Sequence, residues 1–275
     1  MSPALLATAV VAGLLIGLSL GALGGGGSVL AVPVLVYLLD QTPAQATTGS
    51  LVVVGLTSLI SAVTAHRQGT VMLGRGMAFG ATAIGGAALG ARLAAHVPDA
   101  VLMAAFSVLL VVVAAVMVHR QLAARRDGTP RPRPRVDDPI LTFSPTFACA
   151  CPRALRVLVT ATVVGLLTGF LGVGGGFLVV PALVLALGLP MDRAAGTSLV
   201  VITITSAAAL AVRAGSGIQP DWVLVALLTA VAVAGGWLGA RLACRVRVAR
   251  LQTGFTALLL LVAGLTAAQA VPALL

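Results

Sequence analysis

A glycine-rich segment occurs twice in this 275-residue chain, each time inside a long apolar stretch. The first copy, Gly17 to Pro33, reads GLSLGALGGGGSVLAVP; the second, Gly165 to Pro181, reads GLLTGFLGVGGGFLVVP. At a constant offset of 148, 10 of these 17 positions are identical. Gly and Pro interrupt helices, and hydrocarbon tolerates an interrupted helix only where the freed backbone groups face protein or a water-filled cavity. Broken helices at matching positions in two halves point to the binding region of a membrane transporter. The pattern implies a small polytopic protein built by duplication.

Composition agrees. Hydrophobic residues make up 59% of the chain and charged residues 9%, with a mean hydropathy of +1.12. Apolar runs near 3–39, 47–65, 73–95, 99–118, 154–187, 195–212, 221–240 and 252–272 mostly reach the roughly 20 residues that cross a bilayer as helix. The first run lacks a basic n-region and has a partner in mid-chain, so it is expected to belong to the mature protein rather than to a signal peptide. The cations are 17 Arg and the anions 7 Asp, with no Lys or Glu, for a net charge of +10. In a soluble protein that charge would suggest nucleic acid. Here most of the Arg sits at helix ends and in one linker, where it orients the chain in a bilayer, so no nucleic-acid partner is expected. Cys149 and Cys151 stand too close for a zinc pair and, with Cys244, read as small residues; no metal or cofactor is expected.

The duplication extends beyond the glycines. Ser50-Leu-Val-Val53 returns as Ser198-Leu-Val-Val201, and Gly86-Ala-Ala-Leu-Gly-Ala-Arg-Leu93 as Gly235-Gly-Trp-Leu-Gly-Ala-Arg-Leu242, one residue out of step. The expected fold is an all-α polytopic membrane protein with two homologous halves, residues 1–119 and 153–275. Each half holds a Gly-broken helix hairpin and three transmembrane helices. Residues 120–152, rich in Arg and Pro, form a basic linker that the positive-inside rule places in the cytoplasm. With that linker inside, the 66–75 loop is inside too. The cluster Arg241, Arg245, Arg247 and Arg250 also belongs inside, which requires an even number of crossings between residues 153 and 240. The broken segment 154–187 must then enter and return, and the halves become inverted repeats. The alternative counts each broken segment as one span and gives two parallel sets of four helices.

The glycine runs have a chemical reading. Gly24, Gly25, Gly26 and Gly27, and Gly174, Gly175 and Gly176, can take backbone angles that turn several N–H groups toward one spot. A helix is expected to start after each run, and its N-terminus adds partial positive charge for an anion. Ser28 can cap that helix or donate to a ligand. The plain alternative is that glycines merely permit close helix packing. That reading suffices for Gly86/Gly90 and Gly235/Gly239, so Gly90→Ala is expected to be milder than Gly26→Val or Gly175→Val, which should abolish transport. A second candidate set opens each following helix: Thr48 and Ser50, and Thr197 and Ser198, whose hydroxyls can bond oxyanion oxygens or simply their own backbone. Arg213 and His66 read as interfacial anchors. No carboxylate falls inside a predicted span, which argues against a carboxylate proton relay. No phosphate-binding loop or other enzyme motif is present, so the chain is not expected to be an enzyme.

These residues resemble a known group. The run Gly-x-Leu-Gly-x-Gly-Gly-Gly-Phe-Leu-Val-Val-Pro at 169–181, its variant at 21–33, Thr197-Ser198 and Gly-Ala-Arg-Leu are similar to the sulfite exporter TauE/SafE family. The resemblance covers nearly the whole chain except the linker. It implies a multi-pass inner-membrane protein that moves small sulfur-containing anions such as sulfite or sulfonates, usually outward, and it leaves a homodimer open. The first copy departs from the pattern at Gly25–Ser28. Two classes of function remain: a secondary oxyanion transporter, or a membrane scaffold serving a partner enzyme.

Overall fold

The computed structural model describes residues 3–126, 151–172, 175–214, 219–243, 253–254, 256–257 and 260–264. Every regular element among them is helical. Helix α1 spans Pro3–Leu23, α2 spans Ser28–Pro33 and continues as a π-helical turn over Val34–Leu38, and α3 spans Pro43–Arg67. Then follow α4 (Leu73–Ala94), α5 (Asp99–Arg126), α6 (Cys151–Leu171), α7 (Gly176–Ala186), α8 (Met191–Arg213) and α9 (Trp222–Ala243). The basic segment after α5 begins later than its composition suggests, because the helix runs on through Arg120 to Arg126. Five stretches are long and apolar enough to cross a bilayer: Leu6–Leu23, Pro43–Arg67, Leu73–Ala94, Arg193–Arg213 and Trp222–Leu242.

Local chemistry sets the element ends. Thr42 and Gln45 form a reciprocal capping box with Pro43 at the first helical position of α3, which satisfies donors that a helix start leaves orphaned. The Asp221 carboxylate accepts the N–H groups of Val223 and Leu224 at the start of α9. Helix α1 stops at Leu23 because Gly24 turns left-handed, with φ +74°; α6 stops at Leu171 because Gly172 does the same at +65°. The closing bonds match as well: Gly24 N donates to Leu20 O at 2.9 Å and Gly172 N to Thr168 O at 3.0 Å. A second left-handed turn ends each following helix, at Asp40 (φ 50°) and Gly188 (φ 65°). There Gln41 N donates to Leu35 O and Leu189 N to Leu183 O.

The bundle exposes large apolar side chains and buries hydroxyls within an otherwise apolar core. Val108 and Val223 are 64% and 69% exposed, whereas Ser28, Ser50, Thr57 and Ser198 are fully buried. A hydrocarbon solvent selects that arrangement, since lipid welcomes Val and polar side chains need partners within the bundle.

Close glycine contacts fix the helix directions. In α1, a Cβ on Gly13 would meet Leu228 of α9, one on Gly17 would land on the Ala232 carbonyl, and one on Gly21 on the Gly236 carbonyl, so the two helices run parallel. Helices α4 and α6 run parallel in the same way, Gly86 against Thr162 and Gly90 against Leu166. Gly76 faces Thr197 and Gly80 faces Ile204, which makes α4 and α8 parallel. Gly49 faces Val225 while Gly236 faces Thr57 and Ser61, which makes α3 and α9 parallel. Helices α3 and α8 run antiparallel, because Thr47 meets Arg213 and Gly55 meets Ser206. The bundle is therefore two opposed sets, α1, α3 and α9 in one direction and α4, α6 and α8 in the other. The packing role expected for Gly86 and Gly90 fits this geometry. A methyl added at Gly90 would strike the Leu166 carbonyl backbone rather than a movable side chain.

Candidate functional site

The two helix breaks touch each other. A Cβ on Gly176 would lie 2.8 Å from Gly25 Cα and Gly25 O, and one on Gly25 would land on the Gly176 carbonyl. Only glycine on both strands allows this approach. Gly24 packs in turn on the backbone of Ala195, near the start of α8, and Gly172 packs on Thr47, near the start of α3. The glycine runs thus sit between the first turns of α3 and α8.

A serine from each of those helices fastens the opposite break. Ser198 Oγ lies 2.6 Å from the Gly24 carbonyl and 2.7 Å from that of Ala195, so its proton is shared between them. Ser50 Oγ donates to the Gly172 carbonyl and lies 3.0 Å from the Thr47 carbonyl. Left-handed residues end the helical ladder and leave carbonyls without intrahelical donors; these hydroxyls supply them. Both serines are fully buried.

The other predicted residues fall in different places. Gly26 and Gly27 are buried within the first run, and Gly27 packs on Ile16 and Leu20 of α1. Ser28 does not cap α2: the cap position is Gly27, without a side-chain bond, and Ser28 Oγ donates back to Gly25 O at 2.7 Å. Gly175 is left-handed at φ 61°, and a Cβ there would strike the Thr168 hydroxyl. Gly174 lies outside the described residues. Thr48 Oγ1 donates to Ala44 O one turn back, at 3.0 Å. Thr197 Oγ1 accepts the Met72 N–H at 3.1 Å and so ties α8 to the start of α4. Of the four hydroxyls that open the following helices, Ser50 and Ser198 reach the helix breaks at Gly172 and Gly24 and the two threonines do not.

Three further residues at the site lie outside the candidate set chosen from the sequence. Gly172 is the counterpart of Gly24 and follows from the offset of 148 alone. Thr47 and Arg213 are the other two. Arg213 is 7% exposed, held against the protein rather than extended from a helix end. One guanidinium nitrogen donates to Thr47 Oγ1 at 2.9 Å, another to Gly169 O at 3.1 Å and Phe170 O at 3.4 Å. It therefore sits on the last carbonyls of α6, where the helix dipole favours a cation. Arg213 shares the buried stripe of Ser198, Ile202, Thr205 and Ala209, and that helical phase is the signal the sequence offers. Thr57, Ser58 and Ser206, halfway along α3 and α8, are buried hydroxyls that make no hydrogen bond among the described residues.

A helical bundle with lipid-facing valines, buried hydroxyls and interrupted helices in contact defines a multi-pass membrane transport protein. The sequence model of the family described as "Sulfite exporter TauE/SafE" matches residues 9–266. The chain belongs to that family, and it is a transporter of the cell membrane rather than an enzyme. It is 29% identical over 232 residues to a "Probable membrane transporter protein" of Xylella fastidiosa strain 9a5c, covering 84% of this chain and 82% of that one. It is also 29% identical over 247 residues to the "Probable membrane transporter protein YunE" of Bacillus subtilis strain 168, covering 85% of each. No solved structure matches the chain.

Proposed function

We propose that this protein is a secondary transporter that carries small sulfur-containing oxyanions, sulfite or a sulfonate, out of the cell through the junction of its two glycine runs. In this reading residues 1–119 and 153–275 are inverted repeats, and each glycine run is the turn of a helix hairpin that enters the bilayer and returns. The observation that carries it is the exchange of serine bonds: Ser198 holds the break at Gly24, and Ser50, 148 residues earlier, holds the break at Gly172. The equivalent helices α3 and α8 run in opposite directions, as inversion about an axis in the membrane plane requires.

Among the described residues the site offers serine hydroxyls and no carboxylate, which suits an oxyanion. Gly25 and Gly176 are in contact, so no oxyanion fits between them in this conformation. Passage requires the two runs to part, which frees the Ser50 and Ser198 hydroxyls to bond substrate in place of carbonyls. Reconstituted vesicles loaded in turn with sulfite, sulfoacetate or thiosulfate test this. Saturable flux of one of them, reduced at least tenfold in the Ser50→Ala/Ser198→Ala pair, is the expected result. Absence of flux for the whole panel in correctly inserted protein would favour the scaffold reading.

A further inference from the structure

We infer that Arg213 and Thr47 form a latch that holds one side of the transport path more firmly than the other, so that the path opens more readily toward the opposite side, the side of the basic linker. The inference rests on the inverted-repeat reading, because that reading supplies the counterpart of each residue. Arg213 joins the end of α8 to three groups: the Thr47 hydroxyl on α3 and the carbonyls of Gly169 and Phe170 at the end of α6. Thr47 itself packs on Gly172, and Ser50 bonds the same glycine's carbonyl. The latch thus spans the break of α6 and pins it between α3 and α8.

The matching junction at the other break is built differently. At an offset of 148, Arg213 corresponds to Ala65, Thr47 to Ala195, and Gly169 and Phe170 to Gly21 and Ala22. Neither Ala65 nor Ala195 has a side chain able to donate a hydrogen bond, so the α1 break lacks this clamp. The serine bond is common to both sides, and the bond that Thr197 accepts from the Met72 N–H at the start of α8 involves no charged group. In an inverted-repeat transporter the two halves exchange conformations as the path opens to one side and then the other. Were the halves identical, the two states would be equal in energy. A charge-assisted bond set on one side alone removes that equality.

The latched side follows from the helix directions. Arg213 ends α8, and α8 runs parallel to α4, whose first residue follows the 68–72 loop. Arg213 therefore lies on the face opposite that loop and, by the same count, opposite the end of α5 that leads into the linker. With the Arg-rich linker in the cytoplasm, the latch is on the outer face. A path latched outside and freer to open inside is one that loads an exported anion from within.

Ala46 and Ala194 report the two sides, since both are fully buried, adjoin the two junctions, and stand 148 residues apart. Each is replaced singly by Cys in a chain lacking Cys149, Cys151 and Cys244. Labelling by a membrane-impermeant maleimide is then followed from the outer face for position 46 and the inner face for position 194. Arg213→Ala and, independently, Thr47→Val are expected to speed labelling at position 46. For Arg213→Ala the expected increase is about tenfold, a population shift equivalent to about 1.4 kcal/mol. Labelling at position 194 slows or stays unchanged, and Arg213→Lys restores part of the difference. An equal rise at both positions would mark Arg213 as a plain stabiliser of the bundle and overturn the latch. No change at position 46 in either variant would overturn it too. Gln68→Cys and Gln219→Cys, labelled in the same background from each face, test the inverted repeat separately: if both positions react from the same side, it is that reading that fails.

Discussion

Asp40 is the non-glycine residue held at positive φ among the described residues, and its counterpart in the second half is Gly188. An L-residue in the left-handed region costs roughly 1–2 kcal/mol, with Asp and Asn among the more tolerant. Asp40→Gly should therefore leave thermal stability unchanged or slightly higher, and Asp40→Asn should be silent. Asp40→Val should lower stability by about 1–2 kcal/mol, because a β-branched side chain is the least tolerant of that angle. Asp40 is exposed and occupies a turn, and transport is expected to survive Asp40→Asn. Thermal unfolding in detergent, with transport measured alongside, checks the series; complete loss of transport in a well-folded Asp40→Asn protein would restore a carboxylate relay. The same physics explains which residues were legible. Gly24 and Gly172 can be read from sequence because only glycine takes their backbone angle freely. Thr48 and Thr197 cannot be separated from Ser50 and Ser198, because hydroxyl residues look alike until tertiary packing decides whose carbonyl lies within reach. Arg213 reads as an anchor because an arginine at a helix end usually snorkels, as Arg241 does, exposed at its helix end and stacked 3.6 Å over the Trp237 ring.

At the scale of the helices, glycine spacing does more than interrupt. Helices α1 and α9, and likewise α4 and α6, approach until backbone touches backbone, as small residues four apart allow in lipid, where no hydrophobic force draws helices together. The prediction is graded by what an added methyl would meet. Gly74→Ala, with nothing within 4 Å, should be neutral. Gly17→Ala and Gly90→Ala should each destabilise by about 1–3 kcal/mol or more, the usual range for overpacking a filled interface. Gly25→Ala and Gly176→Ala should do the same and also impair flux, because their contact is between the two breaks themselves. Melting temperature and flux measured together separate the groups; a Gly90→Ala protein as stable as the parent would show that these helices can part at little cost. The paired spacing is visible in the sequence. Which helix each glycine faces is not, because α1 packs on α9, more than 200 residues away.

At the scale of the molecule, the two opposed helix sets carry a topological consequence. Each set takes two helices from one half of the sequence and one from the other: α1 and α3 with α9, and α6 and α8 with α4. The 68–72 loop follows α3 and the segment before Trp222 precedes α9. Because α3 and α9 are parallel, the end of one and the beginning of the other lie on opposite faces of the bundle. Gln68 and Gln219 are exposed in these two places. Cysteines substituted there, in a chain without its native cysteines, should react with an impermeant reagent from opposite sides of sealed vesicles, position 68 from the cytoplasmic side. The same geometry places the end of α9, with Arg241, on the side of position 68. Labelling of both positions from one side would require α3 and α9 to run in opposite directions, which the contacts of Gly49 with Val225 and of Gly236 with Thr57 and Ser61 do not permit. Such a result would restore two parallel sets of four helices and would remove the basis for pairing Ser50 with Ser198.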